Sequence, residues 1–586
     1  MTRSSTRIFG FTTLIFVTAC SGPDSVEPTP ADISQASVEM TELVTKQADL
    51  VTGGLGLAGL RAPRPEPQDP AAPTPDELRA MAFHTHFNGL SAINRPDGLG
   101  SFSSDGLPVV AGMEIMTRLP VGETDHTTRA LLQIPTSFDP QTPCLVVAPA
   151  SGSRGVYGAV PLVAPWALPK GCAVVYTDKG AGTDYFDVSR QTGVQLDGTR
   201  TALTSDNATE LGFVPAMGES DTETAGQAMA IPHAHSGINV EAYWGEITLA
   251  ATEWAIARLA KEFNDFDPDK LITMAAGLSN GGQAVLQALE KDSQGHLDAV
   301  VAIMPNIATP NAPSLYEYAS MAALYQPCAL GDPEFASDLP FANPLLIGFG
   351  PNRCQSLYEA GLINEPTPEA AMNALTDFGF DAESLSFSAA TVALDIWRTV
   401  LVNYASAYMQ TSYNAMPCGY GFDASQSTLV QQNTWWATGS GSPPGDGIVV
   451  VDTQMAERPT DPHFAGLQCL ADLIQNDALQ QAIAATRAKA QWPNEVPVFI
   501  VHGQHDALIP AVFSSRPYVA EAQAAGMDVD YREIPGAQHF DAFLNALPMT
   551  NDNPNDNAPD WVPILPHGWS ALDRAWEAVN GESPSN

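Results

Sequence analysis

The sequence predicts an α/β fold: a mostly parallel sheet flanked by helices, interrupted by a large and mainly helical insertion. Three observations lead there. The runs Leu145–Ala148 and Ala173–Tyr176 are short and continuously apolar, as suits strands buried on both faces. Helix-like and strand-like patterns alternate from about residue 241 to 304, the rhythm of crossover units in a parallel sheet. That rhythm stops between about Pro305 and Gln491 and resumes with a strand-like run at Val498–Val501.

In chain order, Ala62–Glu77 is Pro-rich and polar and predicts a semi-rigid linker. Strand patterns follow at Val109–Met116 and Arg129–Ile134, bounded by Gly, Pro and Asp. Ile247, Ala250, Ala251, Trp254 and Ala257 keep helical spacing within Glu241–Phe263. A strand (Leu271–Ala276), a glycine-rich turn, a helix (Gln283–Lys291) and a strand (Ala299–Met304) come next. The insertion carries helical patterns such as Ala389–Met409 and a Gly/Pro-rich loop, Gly439–Gly447, beside Trp435-Trp436. It reads as a cap over the site. A helix at Arg516–Ala525 and a strand at Val529–Ile534 complete the core. The expected organisation is an export signal over 1–20, an N-terminal segment and linker over 21–76, core over 77–305, cap over 306–490, and core again over 491–586.

The chain has 586 residues, too many for one ordinary core. Lys and Arg total 26 against 66 Asp and Glu, a net charge of −40. Such a surface repels phosphate backbones and anionic lipid, which excludes nucleic acid as a partner. At the start, Arg3 and Arg7 precede an apolar stretch, Ile8–Val17, and then Val17-Thr18-Ala19-Cys20. A basic region, a short apolar region and small residues describe an export signal too short to serve as a stable membrane span. Cleavage before Cys20 would resemble lipoprotein processing, with lipid on Cys20 as the only membrane contact. The expected location is therefore the outer membrane, the periplasm or the exterior. The other six cysteines, Cys144, Cys172, Cys328, Cys354, Cys418 and Cys469, allow three disulfides in an oxidising compartment. Cys144 and Cys172 each open a strand-like run, so a bridge between adjacent strands suits them; connectivity among the rest stays open.

The chemistry centres on Gly277-Leu278-Ser279-Asn280-Gly281, which stands between a predicted strand and a predicted helix. This is the context of a nucleophile elbow, and it narrows the fold to the α/β-hydrolase type. The glycines permit a tight turn, and the serine sits at a helix N-terminus where backbone N–H groups stabilise an oxyanion. An acid and then a histidine should follow. Asp506 lies directly after the strand Val498–Val501, and His539 comes after the strand ending at Ile534. His502, His505 and His567 are competing bases and Asp541 a competing acid, each less well placed in this order. The oxyanion hole is expected from the N–H of Asn280 and the loop Ser151-Gly152. His233 and His235 have no acidic or Cys partner at ligand spacing, so no metal and no cofactor are expected.

Several segments resemble the bacterial D-(−)-3-hydroxybutyrate oligomer hydrolases. They are Ser151–Gly158 (SGSRGVYG), Gly171–Gly180 (GCAVVYTDKG), His233-Ala234-His235 and Ser279–Gly282 (SNGG), with further similarity at Gly53–Leu60 and Pro135–Asp139. The resemblance implies Ser279 as nucleophile and short 3-hydroxybutyrate esters as substrates, cleaved to monomer. Two rivals are weighed beside it. A feruloyl-esterase or tannase-like enzyme often has a Cys before the nucleophile bridged to one beside the His, where this chain has Leu278 and Gln538. A non-catalytic surface binding protein has no need of an intact Ser279, Asp506 and His539.

Overall fold

A nine-stranded sheet organises the chain in the computed structural model, which describes residues 41–216, 228–332, 335, 344–439, 447–455, 458–547 and 560–581. The expected signal, Cys20 and the first part of the N-terminal segment lie outside the described residues. The strands are β1 (Leu43–Gln47), β2 (Gly112–Pro120), β3 (Thr127–Pro135), β4 (Cys144–Pro149), β5 (Ala173–Thr177), β6 (Ile272–Leu278), β7 (Ala299–Ile303), β8 (Val498–Gly503) and β9 (Val529–Ile534). Their spatial order is β1-β2-β3-β5-β4-β6-β7-β8-β9. β5, β4, β6, β7, β8 and β9 pair in parallel, while β1, β2 and β3 run antiparallel at one edge. This is the α/β-hydrolase arrangement the sequence predicts.

The apolar runs acquire a simple explanation. Leu145 and Val147 of β4 face one buried layer, with Leu259 from the helix Trp244–Glu262 and Leu286 and Leu289 from the helix Asn280–Lys291. Val146 and Ala148 face the opposite layer, with Leu162 and Val163 from Val160–Ala167 and Leu572 from Leu565–Val579. With both faces covered, alternation in the sequence disappears. The Cys144–Cys172 disulfide joins β4 to the residue preceding β5, and Cys328–Cys354 and Cys418–Cys469 brace the insertion.

The Pro-rich stretch lies between elements that already belong to the core. β1 pairs with β2, and buried Arg79 makes a two-pronged ion pair with Glu114 of β2 at 2.8 and 2.7 Å. Between them, Thr74 caps the helix Pro75–Leu90: Glu77 N donates to Thr74 Oγ1 at 3.3 Å, and Thr74 N to Glu77 Oε2 at 2.8 Å. Thr-Pro-Asp-Glu is a capping box with Pro at the first helical position, where its missing N–H costs nothing. Residues 62–73 are irregular, while Thr74–Glu77 at the end of the stretch makes a helix start.

The insertion between β7 and β8 is mainly helical, with Leu315–Ala329 and Ile396–Tyr408 packed through Tyr318, Trp397 and Tyr404. The single helix expected over 389–409 is two, Ser388–Ala393 and Ile396–Tyr408, because Asp395 takes φ 53° between them. A second elaboration, absent from the sequence reading, follows β5. Its four short strands, Arg200–Ala202, Thr192–Val194, Phe186–Asp187 and Met229–Ala230, form an antiparallel sheet that touches the cap at Ala228 and Asp423. Among the described residues no single helix is long and apolar enough to cross a membrane.

Candidate active site

Ser279 sits between the end of β6 and the helix Asn280–Lys291, with φ 58° and ψ −122°. This unusual backbone holds the side chain up at the sheet's C-terminal edge. The flanking glycines are required by space. A Cβ on Gly277 would stand 2.1 Å from Gly281 O, and one on Gly281 would stand 2.4 Å from Pro149 O. No side chain fits either gap.

Three sequence-predicted residues meet there. His539 Nε2 lies 3.0 Å from Ser279 Oγ, and His539 Nδ1 lies 2.7 Å from Asp506 Oδ2. Asp506 follows β8 and His539 follows β9, so two parallel strands deliver both to the edge that carries Ser279. All three are buried, Asp506 completely. Asp506 Oδ1 accepts from Leu508 N at 2.9 Å and Ile509 N at 2.7 Å. Burial pushes the Asp506 carboxyl upward, but His539 and His502 outweigh it and hold the group down at about 2. An ionised Asp506 only accepts, so the His539 proton rests on Nδ1. Nε2 is then free to accept from the Ser279 hydroxyl.

Three of the competitors, Asp541, His502 and His505, make other hydrogen bonds. Asp541 accepts from Ile564 N at 2.7 Å and Leu565 N at 3.0 Å, capping the last helix. His502 engages Ile509 O and Ser515 Oγ, and His505 accepts from Gly536 N. His233 and His235 also part company. His233 Nδ1 lies 2.8 Å from both Ser153 Oγ and Asn403 Nδ2, while His235 Nδ1 accepts from Ile231 N. Burial, with Lys179 and His126 nearby, holds His233 down at about 3, hence neutral.

Ser151, Gly152, Asn280 and Ser279 line one cleft, together with Tyr404 and Val400 from the cap. The Asn280 N–H belongs to the first turn of its helix, where no intrahelical partner exists. The opposing loop is fixed by a residue that sequence reasoning passed over. Lys179, fully buried, donates through Nζ to Ala150 O and to Gly152 O at 3.0 Å. Burial lowers its ammonium to about 7. The segment Thr177-Asp178-Lys179-Gly180 stood among the motifs, but no spacing rule connects a lysine after β5 with a loop after β4. Asn280 Oδ1 accepts from Asn306 Nδ2, and Asn280 Nδ2 donates to Tyr404 Oη, which ties the position after Ser279 to the cap.

A sequence model of the family described as 3HB-oligomer hydrolase matches residues 16–584. The chain belongs to that family. It is 32% identical to the D-(−)-3-hydroxybutyrate oligomer hydrolase of Paracidovorax citrulli, over 91% of this chain and 85% of that protein. It is 33% identical to the protein of the same name from Cupriavidus necator, over 94% and 85%. With this membership the chain is an ester hydrolase. Among solved structures it is similar to Candida antarctica lipase A, at 12% identity over 81% of this chain and 79% of that one, TM-score 0.35. It is also similar to the cell wall degrading esterase LipA of Xanthomonas oryzae, at 14% identity over 74% and 85%, TM-score 0.35.

Proposed function

We propose that this ester hydrolase works through an acyl-enzyme on Ser279 and cleaves D-3-hydroxybutyrate dimers and short oligomers to monomer. One observation carries the mechanism: the unbroken run of contacts from Asp506 through His539 to Ser279, at 2.7 and 3.0 Å. The names borne by relatives across most of the chain support the substrate.

In this reading Ser279 Oγ attacks the ester carbonyl while His539 Nε2 takes its proton. The carbonyl oxygen becomes an oxyanion, held by Asn280 N–H and an N–H of the Ser151-Gly152 loop. His539 returns the proton to the departing alkoxide, which leaves as the hydroxyl end of the second unit. Water then adds to the acyl-Ser279 carbonyl with His539 again as base, and the acid leaves with Ser279 restored. Asp506 keeps the imidazole oriented and stabilises its charge. Three disulfides support a site of action outside the reducing cytoplasm.

The test is release of 3-hydroxybutyrate from the D-dimer by the purified protein and its Ser279→Ala variant. Release by the wild type alone is expected. Cleavage of p-nitrophenyl butyrate without release from the dimer would keep the esterase and discard the substrate. Equal activity in Ser279→Ala would sink the mechanism.

A further inference from the structure

Arg154 stands two residues beyond Gly152 on the loop after β4, is 3% exposed, and lines the same cleft as Ser279 and Asn280. Its guanidinium makes one hydrogen bond, from Nη2 to Gly89 O at 3.2 Å, and Nη1 has no partner. Three other buried arginines are each matched by a carboxylate: Arg79 with Glu114, Arg129 with Asp184, and Arg353 with Asp461. Arg154 has no carboxylate within ion-pair distance among the described residues.

Its other neighbours do not replace one. His86 is neutral, since burial and Arg154 itself hold its ring down at about 3, and it supplies no counter-charge. Burial lowers the Arg154 guanidinium to about 10, opposed in part by Tyr185. The cation is therefore retained at neutral pH. Gly89 lies at the end of the helix Pro75–Leu90, and a helix C-terminus does attract cations. That accounts for one N–H and leaves Nη1 buried and unsatisfied, a costly state for a charged donor. It is the more notable in a chain where acids outnumber bases by 66 to 26.

We infer that Arg154 binds the terminal carboxylate of the substrate, making the enzyme selective for esters whose leaving alcohol carries a free acid. The inference rests on the substrate reading above. In a 3-hydroxybutyrate dimer the leaving hydroxyl and its own carboxylate are separated by two carbons. Arg154 lines the cleft that also holds Ser279, so a carboxylate two carbons from the leaving oxygen enters the cleft that Arg154 borders. A guanidinium takes a carboxylate through two parallel N–H bonds, using the donor that is now idle. A cation bordering the cleft also offsets the repulsion of an anionic substrate by a chain of net charge −40.

The experiment compares kcat/KM for the D-dimer as free acid and as its methyl ester, in the wild type, Arg154→Gln and Arg154→Lys. For the wild type the acid should exceed the methyl ester by on the order of 100-fold, the range of a charged hydrogen-bonded pair. In Arg154→Gln that ratio should fall to near one, with Arg154→Lys between. A merely structural arginine would lower both substrates together and leave the ratio untouched, which would overturn the inference. A wild-type ratio near one overturns it without any variant, even if Arg154→Gln does not fold. Should the wild type cleave neither dimer while still cleaving p-nitrophenyl butyrate, the substrate reading fails and this inference falls with it.

Discussion

Asp506→Asn keeps the size of a fully buried side chain and removes only its charge. The surroundings dictate which way the amide faces. Leu508 N and Ile509 N both donate to Oδ1, at 2.9 and 2.7 Å, so an amide oxygen must occupy that position. The NH2 group then takes the place of Oδ2, 2.7 Å from His539 Nδ1. It can only donate, so His539 must accept on Nδ1 and carry its proton on Nε2. At 3.0 Å from Ser279 Oγ, an Nε2 that already holds a proton cannot receive another. The expected loss in kcat is on the order of 10⁴-fold, or about 5.5 kcal/mol of transition-state stabilisation. Steady-state hydrolysis of p-nitrophenyl butyrate reads it, with circular dichroism to show that the variant is folded. A loss smaller than about tenfold in a folded variant would refute the orientation argument.

Lys179→Met removes the donor that holds Ala150 O and Gly152 O while keeping an unbranched apolar stem. If the loop it fixes supplies an oxyanion donor, kcat should fall by roughly 10- to 100-fold with little change in KM; an unchanged kcat would deny Lys179 that positioning role. Glu241 is buried between Tyr408 Oη and Gln283 Nε2, and burial lifts its carboxyl from 4.5 to about 7. Between those values the unfolded chain ionises and the folded one stays protonated, so stability drains away as pH rises. The wild type should therefore lose on the order of 3 kcal/mol relative to Glu241→Gln between pH 4.5 and pH 8. Urea midpoints at the two pH values decide it, and an equal gap at both would be the contrary result.

What the sequence disclosed was local and periodic. Gly277 and Gly281 flank Ser279 because the turn admits no Cβ, and that requirement is written in the residues themselves. Asp506 and His539 could be found because the fold delivers them at strand ends in a fixed chain order. Lys179, Arg154, Asn306 and Tyr404 were out of reach, since their work depends on which loops the tertiary structure brings together. The two helices split at Asp395 hid for another reason: a single residue at φ 53° leaves the hydrophobic spacing on either side intact. The helix start at Thr74 was a different case. Its capping box was present in the sequence, but six prolines among sixteen residues drew attention to composition instead of position.

β1 is the outermost strand of the sheet, five residues long, with Val44 48% exposed and Lys46 beside it. It stands between solvent and β2, whose nine residues would otherwise offer an open row of amides and carbonyls. A short edge strand that carries a lysine is a poor template for other chains; a long bare one recruits them. The stretch before Pro75 therefore guards against edge-to-edge stacking, and a chain trimmed of it would be prone to self-association and fibril growth even with its triad intact.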